Sequence, residues 1–408
     1  MRRAASGQAP PRALHVVQSL ASANGGTSVS VPAIAQATAS TGRYVNSVVH
    51  FDPEEGSQTD SVGIPLRRYP SSSLGLLLPT SARQHLAREI DDADVVQVHG
   101  LWTGHCLASL TLAAKRNKPV VVSAHGMLDA WALRHRRWKK APYSMLVGRP
   151  SLNTARCFRA LTGVEAANYR SYGLKGPIAV IPNGVTIPEN VSSAVFLARF
   201  PHLQGQRLVL FLGRLHKKKG VHLLAEAWSA VSPQFPDAHL VIAGPDDGGL
   251  VGTSLRDGHR PGKERITLCG QLTGAVKWSA LAACSVFVLP SFSEGLSMAT
   301  LEALGQGVPV MITRECNFRE VEQLESTFVI QPSVSSIVQG LLRVLACNST
   351  ELAARGQAGA QLIRERYSWT EVGRQMADVY DWLRGGPRPS SVALSHEETT
   401  RVTRGVTQ

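Results

Sequence analysis

Short apolar runs separated by helical segments recur along this chain, and no other feature restricts its fold as tightly. A first series occupies residues 14–17, 44–49, 95–98, 120–123 and 178–181; a second occupies 208–212, 240–243, 266–269, 286–289, 308–312 and 328–330. Strands alternating with helices predict parallel sheets covered by helices, and two series predict two doubly wound α/β domains. The length of 408 residues agrees, being too great for one ordinary core and suited to two. Between the series, residues 186–205 follow the turn Pro182-Asn183-Gly184, carry Pro188 and Pro201, and lack a sheet pattern, so they read as an interdomain linker and hinge. The expected order is a disordered basic N-terminus (1–12), a first domain (13–186), a linker (187–206), a second domain (207–369) and a C-terminal helix (370–385). Whether that helix packs back on the first domain the sequence leaves open. Gly385-Gly386-Pro387 stops it, and 386–408 is expected to be a disordered tail.

Composition narrows the function classes. Hydrophobic residues make up 43% and charged residues 18%, values of a globular protein. No run of about 18 apolar residues predicts a membrane-spanning helix, and the N-terminus lacks the apolar core of a secretory signal. Six cysteines without a C-x-x-C pair suit a reducing, cytoplasmic compartment. The net charge of +13 attracts polyanions without choosing among them. Part of it lies in Arg134, Arg136, Arg137, Lys139 and Lys140, interleaved with Trp131, Trp138 and Tyr143. That mixture suits a membrane interface and equally a solvated helical face. No helix-turn-helix, RNP or zinc-finger pattern accompanies the charge, so nucleic acid is not an expected partner.

The densest chemical signal is the stretch from Leu289 to Glu302, where a strand ends, a loop turns at Gly295 and a helix begins. If Glu294 and Glu302 were both helical they would lie about 12 Å apart along the axis. That exceeds the separation of about 5 to 9.5 Å for two carboxylates flanking one glycosidic bond, and it suits an extended ligand touched at both ends. The amides of Gly295, Leu296 and Ser297 would form a helix N-terminus able to attract phosphate. In the plain structural alternative, Glu294 caps the helix and Glu302 is a solvated helical residue. Upstream, Gly213-Arg214-x4-Lys219-Gly220 delivers two cations at a strand's carboxyl end, where they could neutralise a diphosphate; alone, a basic loop is unspecific. His99 and His125 each follow a strand and precede a glycine, where open α/β sheets place ligands. For His99 the alternative is a hydrogen-bonded core histidine. His105 and His135 are further acceptor-side candidates. No His, Cys and Asp set has metal-ligand spacing.

Together, Gly213-Arg214-x4-Lys219-Gly220, Val241-Ile-Ala-Gly244, Pro290-Ser-x-Ser-Glu294-Gly-Leu-Ser-Met-x3-Glu302-Ala and Gly307-Val-Pro309-Val resemble, in order and spacing, the family 4 glycosyltransferases. The likeness reaches back through Ile181-Pro-Asn183-Gly184 and Ser123-Ala-His125-Gly126 to the Gly25-Gly26 loop. The resemblance implies a GT-B fold, two Rossmann-like doubly wound domains facing an interdomain cleft, and retaining transfer of a hexosyl group from a nucleotide diphosphate sugar to a saccharide. It implies that Arg214 and Lys219 hold the diphosphate, Glu294 contacts donor-sugar hydroxyls and Glu302 bonds the ribose. The amides near Leu296 and Ser297 would assist the phosphates, with Gly213, Gly295 and Asn183 also on the donor side. His125 would lie beside the transferred sugar, and Gly26 would let the first loop come close. No metal and no cofactor are implied. Ser297 stands where many relatives have glycine.

Retention without an evident carboxylate nucleophile points to front-face substitution, in which the departing phosphate oxygen takes the acceptor's proton and the protein orients and stabilises charge. For a covalent route Glu294 is the nearest candidate. The segment from Ala124 to Lys140 resembles bacterial family members that build cell-surface polysaccharides. That would place Asp129, Trp131 and the basic helix near a lipid-linked saccharide acceptor, in exopolysaccharide or lipopolysaccharide biosynthesis, with the protein cytoplasmic or peripheral on the inner membrane face. Two competing readings are a nucleotide-sugar 2-epimerase of the same architecture, which would show no acceptor dependence, and a basic nucleic-acid-binding protein, which would show salt-dependent binding.

Overall fold

A computed structural model of the chain describes residues 9–21, 26–52, 63–69, 77–129, 148–246, 265–394 and 398. Trp131, His135, the basic aromatic segment 134–143, Gly25 and most of the N-terminal 1–12 lie outside the described residues. The chain divides into two compact units, one of residues 1–184 with 369–408, the other of residues 185–368. Both are α/β, as the alternation of strands and helices predicts.

The first unit is an eight-stranded sheet built from β1 (Arg12–Val17), β2 (Val45–His50), β3 (Leu66–Arg68), β4 (Val95–His99), β5 (Val120–Ser123), β6 (Cys157–Ala160), β7 (Ile178–Val180) and β14 (Val392–Ala393), in the order β14-β7-β6-β5-β4-β1-β2-β3. Every pairing is parallel except β14 on β7. All residues of β4 and β5 are buried, the pattern of central parallel strands covered on both faces. The chain moves outward from β1 through β2 to β3, then returns to β4 on the other side. The register sets Val17 beside His99 and His99 beside Ser123, so the carboxyl ends of β1, β4 and β5 lie in a row.

Three strands escape the apolar-run pattern. β3 is short and carries Arg67 and Arg68, and β6 carries a buried Arg159. β14 falls in the tail expected to be disordered from residue 386, and that expectation is corrected for the described residues up to 394. Val392 and Ala393 are buried against β7, whose Val180 N–H donates to Ser391 O at 3.0 Å, so this short segment covers what would be an open sheet edge.

The Trp369–Leu383 helix belongs to the first unit. Val372, Met376, Val379 and Tyr380 recur at helical spacing and enter its core. Gly373 brings the helix so close to the Gly26–Ala39 helix that a Cβ there would lie 2.3 Å from Ala37 O. Arg43 pairs with Asp378 at 2.7 Å and with Asp381, and Tyr44 Oη donates to Asp381 at 2.6 Å.

The second unit is a parallel sheet of β8 (Arg207–Leu212), β9 (Ala238–Ala243), β10 (Ile266–Gly270), β11 (Cys284–Leu289), β12 (Val310–Thr313) and β13 (Thr327–Ile330), in the order β10-β9-β8-β11-β12-β13. Its direction reverses between β8 and β11. The expected linker 187–206 is not a free connector: it holds the Ala194–Arg199 helix, buries Phe196 and Leu203, and donates Phe196 N–H to Ser279 Oγ at 2.8 Å. The prolines mask this amphipathic spacing in the sequence. The chain passes between the units at Gly184 to Val185 and at Ser368 to Trp369.

Candidate active site

The carboxyl ends of β8 and β11 flank the reversal of the second sheet, where ligands of open α/β sheets bind. Glycines let the loops there touch. Gly244 lies at φ +150 and a Cβ would come within 1.8 Å of Gly213 O; Gly220 lies at φ +69 and a Cβ would come within 2.1 Å of Pro290 O. The Lys217–Lys219 turn is capped by His216, whose ring accepts from Lys218 N–H at 3.1 Å. This aims Lys219 Nζ at both oxygens of Glu294, 2.7 and 2.9 Å away.

Glu294 is only 7% exposed and is held on every side. Ser291 Oγ donates to its Oε1 at 2.6 Å, its N–H donates to Glu315 O at 2.8 Å, and Asn317 Nδ2 donates to its carbonyl at 2.5 Å. Oε1 therefore receives two donors and Oε2 one, leaving Oε2 the freer acceptor. Arg214 is exposed and has no ion-pair partner among the described residues.

Glu294 is not helical. The helix is Met298–Gly305, and its N-cap is Ser297, whose Oγ accepts from Thr300 N–H at 3.3 Å. The 12 Å axial spacing therefore does not apply, and Glu294 does not cap. Ser297 sits at φ −77, a conformation open to any residue, so the chain needs no glycine there. Among the described residues, the amides of Gly295, Leu296 and Ser297 make no hydrogen bond within the protein. Glu302, in the second helical turn, is mostly buried rather than solvated and accepts from Lys277 Nζ at 2.7 Å. Burial pushes its carboxyl up and Lys277 draws it back. Lys277 lies on the Gly274–Ala283 helix over Trp278, and nothing in the local sequence marks it.

In the first unit, His15 of β1, His99 of β4 and His125 after β5 form a chain: His15 Nδ1 to His99 Nε2 is 3.1 Å and His99 Nδ1 to His125 Nε2 is 3.0 Å. His99 is fully enclosed with both ring nitrogens engaged, so it stands behind His125 and is not an acceptor-side contact. His105 is likewise a core residue; its Nε2 donates to His99 O at 2.9 Å and its Nδ1 faces Thr103 Oγ1 at 2.7 Å. Burial, then the charge of Arg159, lowers His15 and His125 to about 3, and burial lowers His105 to about 4. All are neutral near pH 7.

His125 takes the left-handed backbone conformation, φ +53, uncommon for a side chain of its size. Its neighbours are locked. Ala124 N–H donates to Tyr169 Oη at 3.0 Å, and Gly126 N–H donates to Glu165 Oε1 at 2.7 Å. Glu165 also accepts Leu161 N–H at 2.6 Å; burial raises its carboxyl and these two amides lower it. Arg159, buried with no ion-pair partner among the described residues, is lowered by burial to about 10, against the raising charge of Glu165, and donates to Ile181 O, Pro182 O and Asn183 Oδ1 at 3.1, 2.6 and 3.0 Å. Asn183 is thus a buried brace for Arg159. Asp129 is buried and accepts from Asn168 Nδ2 at 2.9 Å. Gly26 opens its helix, and a Cβ there would meet no atom of the described residues within 4 Å. His15, Tyr380, Arg159, Glu165, Ser291 and Lys277 are the site neighbours that sequence reasoning missed.

Two parallel-sheet α/β units in tandem are the architecture of the GT-B class. Solved structures of that class are similar to it: sucrose-phosphate synthase from Thermosynechococcus elongatus, with a TM-score of 0.72 at 17% identity over 92% of this chain and 99% of that chain, and Anabaena HepE in complex with UDP-glucose, with 0.71 at 18% over 91% and 99%. At these identities the likeness is one of fold.

The family follows from the sequence. Residues 24–187 match the model of Glycosyltransferase Family 4 and residues 206–347 that of Glycosyl transferases group 1, and the chain belongs to the family 4 glycosyltransferases. A phosphatidyl-myo-inositol mannosyltransferase of Mycobacterium tuberculosis is 28% identical over 236 residues, 56% of this chain and 60% of the relative. The match thus spans less than two thirds of that relative. No helix among the described residues is long and apolar enough to cross a membrane, and no group of three or more His, Cys, Asp or Glu among them could hold a metal ion.

Proposed function

We propose that this glycosyltransferase moves a hexosyl group, with retention, from a nucleotide diphosphate sugar to a saccharide acceptor. The carrying observation is the Lys219–Glu294 pair, mostly withdrawn from water, at the sheet reversal. Lys219 has three donors, and two serve Glu294; the third is free to meet a phosphate oxygen. Glu294 keeps an acceptor position on Oε2 for a sugar hydroxyl. Arg214 and the uncommitted amides of residues 295–297 add positive potential for the diphosphate, and Glu302 with Lys277 would face the ribose. A UDP-glucose complex of a fold neighbour agrees with such a donor.

Departure of the phosphate then needs charge stabilisation, which the two cations supply, and the leaving oxygen takes the acceptor's proton on the same face. This reading assigns no step to a metal or cofactor, so transfer is expected to persist in chelator. The acceptor proposed is a lipid-linked saccharide at the inner membrane face, in exopolysaccharide or lipopolysaccharide assembly. The net charge of +13 and the lipid-directed name of the mycobacterial relative support it.

A thermal-shift screen of UDP, GDP, ADP and their sugar conjugates tests the donor: one nucleotide series should stabilise the protein, and less so in Glu302→Ala. Failure of every nucleotide, together with no release of nucleotide diphosphate on adding saccharide acceptors, would overturn the reading. Conversion of the donor sugar without any acceptor would point instead to an epimerase.

A further inference from the structure

Three imidazoles are joined in the first unit by two junctions, His15 Nδ1 to His99 Nε2 and His99 Nδ1 to His125 Nε2. The rings stack, with centroids 5.4 and 5.3 Å apart. Burial foremost, with the charge of Arg159 beside them, keeps all three neutral, so each ring has a single N–H. A junction between two ring nitrogens requires one hydrogen: two would clash, and none would oppose two lone pairs. If His99 holds its hydrogen on Nε2, then His15 must accept on Nδ1 and His125 must donate from Nε2; the reverse arrangement inverts all three. The rings therefore share one tautomer, and whatever fixes one end fixes the other.

The far end is fixed by the C-terminal helix. Tyr380 Oη donates to Gln97 Oε1, and Gln97 is held in that orientation by its Nε2, which donates to Ser123 Oγ at 3.0 Å. With its hydrogen committed, the Tyr380 oxygen faces His15 Nε2 at 3.4 Å as an acceptor. His15 then carries its hydrogen on Nε2, His99 donates from Nε2 to His15, and His125 donates from Nε2 to His99. His125 is left with a lone pair on Nδ1, which has no hydrogen-bond partner among the described residues. The locked amides of Ala124 and Gly126 on either side hold its backbone in place.

We propose that Tyr380, His15 and His99 are positioning residues that set the tautomer of His125, so that its Nδ1 accepts a hydrogen bond from a ligand hydroxyl instead of donating one to a phosphate or carbonyl oxygen. The hydroxyl as ligand class rests on the glycosyltransferase reading; the tautomer does not.

Full-length protein labelled with 15N-histidine tests the tautomer directly, because a long-range 1H–15N correlation spectrum separates protonated from bare ring nitrogens, and His125→Asn assigns the His125 signals. At pH 7 the wild type should show a protonated Nε2 and a bare Nδ1 at His125. In Tyr380→Phe, which keeps the ring and removes the acceptor, the bare Nδ1 signal should be averaged or replaced by a protonated one. A protonated Nδ1 at His125 in the wild type overturns the proposal, since the chain would then run the other way. An unchanged His125 spectrum in folded Tyr380→Phe overturns the control by Tyr380. If that variant does not fold, Ser123→Ala, which frees the Gln97 amide, takes its place: mixed tautomers at His125 support the proposal and a single unchanged one overturns it. Loss of the transferase reading would leave these spectra unaltered, so the two failures are distinguishable.

Discussion

Lys219 and Glu294 form an ion pair that is mostly withdrawn from water, with side-chain exposures of 21% and 9%. Removing one partner of such a pair strands the other, at a cost of about 3 to 5 kcal/mol. Lys219→Met should therefore lower both stability and transfer, whereas the double variant Lys219→Met with Glu294→Gln should recover stability and leave transfer depressed by about 10² to 10³ in kcat. Denaturant unfolding beside steady-state kinetics separates the two effects, and recovery of turnover in the double variant would contradict a charge-stabilising Lys219. Ser297 offers a second test. As an N-cap it should cost about 1 kcal/mol when changed to alanine and only a few tenths when changed to glycine, and a melt in which Ser297→Gly is the worse of the two would show that its hydroxyl is not the cap that matters.

Among the elements, the Trp369–Leu383 helix carries the most consequence, because it follows the whole second unit in sequence yet completes the core of the first. Its approach to the Gly26–Ala39 helix depends on Gly373, where a Cβ would meet Ala37 O at 2.3 Å, a backbone atom that cannot swing aside. Gly373→Ala is expected to destabilise the first unit by about 1 to 3 kcal/mol through overpacking, read as an earlier unfolding transition with the second unit's transition unmoved. The same helix supplies Tyr380, so a displaced helix also loosens the acceptor at the end of the histidine chain. At the other edge, β14 shows how two small residues, Val392 and Ala393, suffice for a strand once an open edge is available to pair with.

For the whole molecule, the buried neutral histidines predict an acid limb in stability. His15 and His125 lie at about 3 and His105 at about 4 in the folded protein, against 6.5 when unfolded. Between these values the unfolded chain binds more protons than the folded one, so stability is complete above pH 6.5 and falls as pH drops toward 4. The slope is at most about 1.4 kcal/mol per pH unit for each histidine. Glu165 and Glu302, both raised, act in the opposite sense at the lower end of that window. Comparing urea unfolding of wild type and His99→Gln at pH 7 and pH 5 isolates the histidine share: the variant should lose less stability on acidification, and equal losses would mean that His99 is already charged in the folded state.

The loops at the ends of β8 and β11 were legible because their chemistry is local. Arg214 and Lys219 lie within one loop, and Glu294 and Ser297 lie within one turn and the helix it starts, so the motifs are short and their joint order and spacing carry the family resemblance. The two strand series were legible for the same reason, since burial on both faces of a parallel strand leaves an uninterrupted apolar run. What tertiary structure alone decided is the company these residues keep. Lys277 reaches Glu302 from a separate helix, Arg159 sits uncharacteristically within β6 because carbonyls of the turn after the neighbouring β7 accept from it, and His15, His99, His125 and Tyr380 meet only because sheet order sets β1, β4 and β5 side by side beneath the Trp369–Leu383 helix. Contacts across such separations depend on which strand pairs with which and on the direction in which the sheet is wound, and no local pattern of residues carries that information.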